Sequence, residues 1–292
     1  MGRTNLKGCA TALITPFRNG EVDYAAYANL VDRQVEAGMD FLVPLGTTAE
    51  TPCLTDEEKV ELLKIAREHA PETPLVVGVG TNSLVHTIEN IKLLEPYGPD
   101  AYLVVVPYYN KPTQEGLYQY FKAVAASTQK PIVLYNVPGR TGVNLSVETT
   151  LALAEIENIV AVKEASGNYS QIASILRSRP EGFAVFSGND DETLSLMATG
   201  AEGVISVASN VAPAQMVELT HYMLEGKIQQ AREVHNTLWP LFKNCFIESN
   251  PIPVKSGLWS MGLIENELRL PLVPASEKTQ TIMAETVKNL GF

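Results

Sequence analysis

"PIVLYNVPGRTGVNLSVETTLALAEIENIVAVKEA", residues 131–165, decides the fold. It opens on "PIVLYNV" (131–137) and closes on "NIVAVKEA" (158–165), both continuous apolar runs rather than alternations. Runs of that kind suit strands buried on both faces, as in a parallel sheet. Between them, Ser146 opens a stretch with helical periodicity. The segment is therefore one strand–helix–strand unit. The same pattern extends to both sides. "GCATALIT" (8–15), "DFLVPLG" (40–46), "PLVVGVG" (74–80) and "DAYLVVVP" (100–107) precede it; "GFAVFSG" (182–188) and "EGVISVAS" (202–209) follow.

Amphipathic stretches separate these runs. "DYAAYANLVDRQVEAG" starts on an Asp cap and ends at Gly38, and "TDEEKVELLKIAREHA" carries Glu58 three residues after Thr55, a capping box. "SLVHTIENIKLLEPYG" and "TQEGLYQYFKAVAAST" are periodic too. Eight such units predict an α/β fold, a (β/α)8 TIM barrel. An open doubly wound sheet is the alternative, but no GxGxxG follows the first strand and no phosphate-loop lysine motif occurs. After residue 209 the strand pattern stops and helical stretches run to the C-terminus. The division expected is a catalytic barrel over residues 1–225 and a helical extension over 226–292.

Composition narrows the function. Formal net charge is −11, which repels nucleic acid phosphates. Cys9, Cys53 and Cys245 are odd in number, widely spaced and without a CxxC, so neither a disulfide framework nor a cysteine metal site is expected. The first residues hold no long apolar stretch, and Gly2 lacks the Ser or Thr that N-myristoylation favours at the sixth position. No run approaches a membrane span in length. A cytoplasmic enzyme is the expectation. His69, His86, His221 and His235 are scattered without metal-ligand spacing, and Cys53 has no histidine near it in sequence.

A barrel of this kind gathers its chemistry at the C-terminal ends of its strands. The second run ends in "GTTAE" (46–50), the fourth in "PYYNKPT" (107–113), the fifth in "YNVPGRTG" (135–142), the sixth at Lys163 and the seventh in "SGND" (187–190). A lysine that closes a buried strand either snorkels to solvent or stands partly desolvated at the mouth. In the second case its free amine can attack a ketone and form a Schiff base. Tyr135 is either a core tyrosine or a proton shuttle. Arg140 is either a solvated loop residue or a carboxylate clamp, and "GTTAE" either a plain turn or an anion cradle.

Taken together, "GTTAE", "PYYNKPTQEGLYQYF", "YNVPGRTG", "VKEASG", "SGND", "GVISVASNVAP" and "NPIPVK" resemble the class I pyruvate-dependent aldolases of the dihydrodipicolinate synthase and N-acetylneuraminate lyase superfamily. The likeness runs nearly end to end, and Arg140 in "YNVPGRTG" places it with the dihydrodipicolinate synthase family. It implies condensation of pyruvate with L-aspartate 4-semialdehyde on the way to diaminopimelate and lysine. Lys163 would form the Schiff base with pyruvate, and Tyr135 would transfer protons. Thr47 would link Tyr135 to Tyr109, the latter reaching in from a neighbouring subunit. Thr48 would hold the pyruvate carboxylate, Arg140 would orient the aldehyde, and the backbone at Gly188 and Ile205 would shape the pocket floor. No metal or organic cofactor is implied, and a homotetramer built from dimers is.

Two departures bear on that resemblance. Ala49 stands where the family commonly has glycine; if the position needs a positive φ, alanine is strained there. The positions matching the family's lysine-inhibition site are Thr51, Lys59, Asn82, His86 and Tyr108. Lys59 adds a like charge there and His86 removes an attracting carboxylate, so inhibition by lysine is expected to be weak or absent. Two rival readings stay open: another aldolase of the superfamily acting on a sugar acid, and a non-catalytic binding protein on the same barrel.

Overall fold

In the computed structural model, which describes residues 6–292, the apolar runs form eight parallel strands. Gly2 lies outside the described residues. The strands are β1 Gly8–Ala12, β2 Phe41–Val43, β3 Val76–Gly78, β4 Ala101–Val105, β5 Ile132–Asn136, β6 Ile159–Glu164, β7 Ala184–Ser187 and β8 Gly203–Ser206. Each pairs with its neighbours in sequence, and β8 returns to β1. Leu42 pairs with Leu75, and the Gly78 N–H donates to Pro44 O at 3.0 Å, which closes the circle between β2 and β3. The result is the eight-stranded barrel that the sequence predicts.

Its two faces carry two cores. Inside lie Ala10, Phe41, Val43, Leu103, Val133, Ala161, Phe186 and Ile205, with the Phe41 and Phe186 rings edge to face at 5.3 Å. Outside, residues such as Leu42, Val104, Leu134 and Val162 pack under the helices. The strict alternation of a strand thus decides which side chains can reach the mouth. On β6, Val162 belongs to the outer core while Lys163 points into the barrel.

The helices around the barrel are α1 Tyr24–Glu36, α2 Asp56–His69, α3 Leu84–Leu94, α4 Gln114–Ala126, α5 Val147–Ala154, α6 Tyr169–Ser178, α7 Thr193–Thr199 and α8 Pro213–Leu224. Three of their starts fall where the sequence reading put them. Asp23 accepts from the Ala26 N–H, Ser146 from the Thr149 N–H, and Thr55 with Glu58 completes the capping box. A hairpin of Phe17–Arg18 with Glu21–Val22 has no counterpart in the sequence reading. Beyond the barrel lie α9 Ile228–Asn244, α10 Ile252–Ser260 and α11 Glu277–Asn289. Among the described residues no helix is long and apolar enough to cross a membrane.

Arg269 ties this C-terminal region to the barrel. Its guanidinium donates to both Glu58 carboxylate oxygens at 2.7 Å and lies 4.5 Å from the Phe17 ring centroid. The Arg269 hydrogen bonds hold the Glu58 carboxyl below its usual range, against the effect of burial. A depressed carboxylate stabilises the fold above its unfolded pKa and loses that contribution as pH falls through the folded value. Glu58→Gln should therefore cost ~1 kcal/mol at pH 7. The gap from wild type should close on acidification below about pH 4. Denaturant midpoints across that range check it; a gap that does not change with pH would rule out the carboxylate as its source.

Candidate active site

The site is built where β2, β5, β6 and β7 end. Lys163 is 5% exposed, and its Nζ lies 4.4 Å from the centroid of the Tyr135 ring. The two residues are direct neighbours in register across β5 and β6, and Phe186 is the neighbour of Lys163 on the other side. Lys163 is thus held between an aromatic face and the barrel core, with its amine turned to the mouth rather than to bulk water. The next residue, Glu164, alternates to the outer face. It is fully buried and accepts from Asn136 Nδ2 at 2.7 Å and Ser166 Oγ at 2.5 Å. Burial raises its carboxyl, and these hydrogen bonds oppose that. They pin the β5 and β6 ends together on either side of the lysine.

A small chamber of about 50 Å³ opens over Lys163. Its walls include Thr47, Thr48, Tyr135, Arg140, Gly188 and Asn250. Gly188 is required by close approach. A Cβ there would meet the Ala165 Cβ at 2.6 Å, so any side chain would push β6 and β7 apart at their ends. Ile205 lies beneath, in the barrel-interior core rather than in the chamber wall. Asp190 of "SGND" stands behind that wall. Its Oδ2 accepts from the Val207 and Ala208 N–H groups at 3.1 and 3.0 Å, fixing the turn that follows β8. Burial pushes its carboxyl up, and hydrogen bonds together with the Lys163 charge oppose that shift.

"GTTAE" forms a single 3-10 turn over Thr47–Ala49. The loop tolerates Ala49, because the positive φ that would strain an alanine does not fall on it. Positive φ values fall instead on Leu45 (58°) and Glu50 (53°), and Ala49 sits buried inside the turn. Alanine fits because the position is helical, not left-handed. Thr48 is buried and its Oγ1 accepts from Asn250 Nδ2 at 2.9 Å. Arg140 sits in the helical turn Pro138–Thr141, and its Nη2 donates to Asn250 O at 3.3 Å. Asn250 thus touches both candidate carboxylate binders. Sequence reasoning passed over it, although it opens the quoted "NPIPVK".

A larger cavity of about 310 Å³ adjoins the chamber and shares Thr47, Tyr135 and Arg140 with it. Thr51, Lys59 and Tyr108 line this second cavity, whereas Asn82 and His86 are exposed nearby and do not. Lys59 also pairs with Asp56 at 2.8 Å. Tyr109 is not brought in: it is 85% exposed, at φ 75°, on the loop after β4. The hydroxyl relay that the resemblance implies is therefore not assembled within one chain. His69 and His221 pair with Asp32 and Asp40. Among the described residues no group of three or more His, Cys, Asp or Glu is placed to hold a metal ion.

The chain is a parallel barrel with a buried lysine beside a tyrosine at its mouth, and comparison with known proteins places it further. The family model for the dihydrodipicolinate synthetase family matches residues 5–290, and the chain belongs to that family. A 4-hydroxy-tetrahydrodipicolinate synthase of Thermosipho melanesiensis is 52% identical over 96% of this chain and 97% of its own. The crystal structure of a dihydrodipicolinate synthase from Thermotoga maritima superposes with a TM-score of 0.96 at 48% identity, covering 98% of this chain and 99% of that one. A chloride-inhibited dihydrodipicolinate synthase from Acinetobacter baumannii complexed with pyruvate also gives 0.96, at 41% identity over 98% and 99% of the chains.

Proposed function

We infer that this chain is a 4-hydroxy-tetrahydrodipicolinate synthase, a lyase that condenses pyruvate with L-aspartate 4-semialdehyde in the diaminopimelate route to lysine. The observation that carries the mechanism is the 5% exposed Lys163 facing a chamber walled by Tyr135, Thr47, Thr48 and Arg140. The Lys163 amine attacks the pyruvate ketone and expels water to give an iminium. Loss of a methyl proton gives an enamine, which attacks the aldehyde carbon. The amino group of the second substrate then displaces Lys163 as the ring closes. One water leaves overall and the amine is regenerated, so no other cofactor enters the balance.

Each other residue takes a part in that sequence. Tyr135 moves protons at the iminium and enamine steps, beside the Nζ it already faces. Thr48, oriented by Asn250, receives the pyruvate carboxylate. Arg140 takes the carboxylate of the aldehyde as a bidentate partner. The backbone at Gly188 and Ile205 sets the depth of the site. Thr47 passes protons on towards Tyr109 of a second copy of the chain, which fits a phenol so exposed here. The family resemblance extends this reading to a homotetramer built from such dimers. In this reading the barrel, 1–225, carries the chemistry and the extension, 226–292, supplies Asn250. Three free thiols, two of them buried, suit a reducing cytoplasm.

The test is condensation followed through a coupled reductase that consumes a nicotinamide cofactor. Turnover with both substrates supports the synthase. Pyruvate trapped on the protein by borohydride without such turnover would send the search to other aldehydes, the sugar acids first. For regulation, Lys59 brings a cation to the cavity where the family's inhibitor ammonium would sit. Lysine at ~1 mM is expected to change the rate by less than about twofold, a shift of under ~0.5 kcal/mol. Half-inhibition at micromolar lysine would defeat this.

A further inference from the structure

Lys255 and Glu50 form an ion pair at 2.7 Å with both side chains fully buried. Neither group touches the chamber, and the condensation uses neither. A pair of this kind is weak evidence for stability, because apolar residues of the same volume commonly stabilise a core as well. Its placement gives it another meaning. Lys255 Nζ also donates to Thr15 O at 2.9 Å, and Thr15 Oγ1 donates to Ala49 O at 2.8 Å. Ala49 and Glu50 are consecutive, so these contacts close a ring: Glu50, Lys255, Thr15, Ala49 and back to Glu50. The ring encircles the end of the Thr47–Ala49 turn.

We propose that Lys255 is a positioning residue for the pyruvate end of the site, holding Thr47 and Thr48 in place through Glu50 and Thr15. This rests on the Schiff-base reading above. Glu50 is the hinge of the arrangement. It is a non-glycine residue at φ 53°, a strained conformation that persists only when its surroundings impose it. Here the side chain is gripped from two directions. Oε1 accepts from Lys255, and Oε2 accepts from the Arg269 N–H at 3.1 Å. The ammonium in turn lies 4.4 Å from the Phe17 ring centroid.

The same helix reaches Thr48 from its other side. α10 carries Lys255, and Asn250 lies two residues before it with its amide on Thr48 Oγ1. Thr48 is therefore held through its backbone by the Lys255 ring and through its hydroxyl by Asn250. Both holds come from the C-terminal region, not from the barrel strand that bears the turn. Loosening the ring should move Thr48 relative to Lys163 while leaving Lys163, Tyr135 and Arg140 where they are.

Two variants test this. Thr15→Val is nearly isosteric, keeps both buried charges paired and cuts only the link to Ala49. The double variant Glu50→Gln/Lys255→Met removes both charges at once and so leaves no unpaired ion in the core. For each, the pyruvate concentration giving half-maximal borohydride trapping on Lys163 is measured beside steady-state constants and Tm. The expected result is a rise of about tenfold in that concentration and in the pyruvate KM, the effect of losing roughly one hydrogen bond's worth of positioning. kcat and the aldehyde KM should stay within about threefold, which is under ~0.7 kcal/mol. Pyruvate half-saturation within twofold of wild type in both variants, whatever Tm does, would overturn the proposal. Wild-type protein that fails to trap pyruvate at all would instead remove the Schiff-base reading, and this proposal with it.

Discussion

A Lys163→Met protein is expected to fold at least as stably as wild type and to turn over more than about a thousandfold more slowly. The two halves of that expectation have one origin. The lysine is 5% exposed between Tyr135 and Phe186, where an amine gains little from its surroundings and a thioether of similar length fills the same space. Removing the amine therefore need not open a cavity. Chemically the loss is total, since no imine can form and the pyruvate methyl proton keeps its ordinary acidity. A thousandfold loss corresponds to about 4 kcal/mol of barrier, the minimum for deleting a covalent catalyst. Borohydride trapping of pyruvate should vanish in the same protein. A variant that retains turnover within tenfold of wild type, or still traps pyruvate, would take the nucleophile's role away from Lys163.

How far the sequence could be read differs between the barrel and its site. Continuous apolar runs such as "NIVAVKEA" placed the eight barrel strands, because burial on both faces leaves a compositional signal that needs no partner to be seen; the short, half-exposed hairpin at residues 17–22 has no such run. The cap residues Asp23, Thr55 and Ser146 did the same for helix starts. α6 and α7 were implied only by the count of units. α6 follows a loop of small polar residues, and α7 is short, entered through a 3-10 turn without a side-chain cap. Within the site, strand ends brought Lys163, Tyr135, Thr48, Arg140 and Gly188 together as the barrel topology demands. Asn250 and Lys255 were invisible to that logic. They belong to the C-terminal region and meet the turn after β2 across about two hundred residues of chain. Nothing in local spacing encodes such a contact. Ala49 shows the opposite limit. Its motif left open whether the position needs a positive φ; the positive φ values fall on Leu45 and Glu50 instead, a matter of backbone geometry that one letter in a motif does not report.

Arg140→Ala should separate the synthase from its nearest rival. Arg140 is exposed in a short helical turn, and its guanidinium hydrogen bond to Asn250 O, at 3.3 Å, is long. Its removal should barely affect folding, so loss of activity can be read as loss of binding. A guanidinium meeting a carboxylate in the bidentate geometry makes two charge-assisted hydrogen bonds, together worth ~3–4 kcal/mol. The expected fall in kcat/KM for aspartate semialdehyde is accordingly about a hundred- to a thousandfold. Half-saturation of the Lys163 imine with pyruvate should change by no more than about threefold, because the proposed function gives that carboxylate to Thr48 rather than Arg140. Arg140→Lys should recover only part of the loss, since an ammonium offers charge without the fork. An aldolase for sugar acids, whose aldehyde partner bears hydroxyls in place of that carboxylate, would lose far less. Arg140→Ala retaining kcat/KM for the semialdehyde within about tenfold, or losing pyruvate trapping along with it, would mean that the second substrate is not held here.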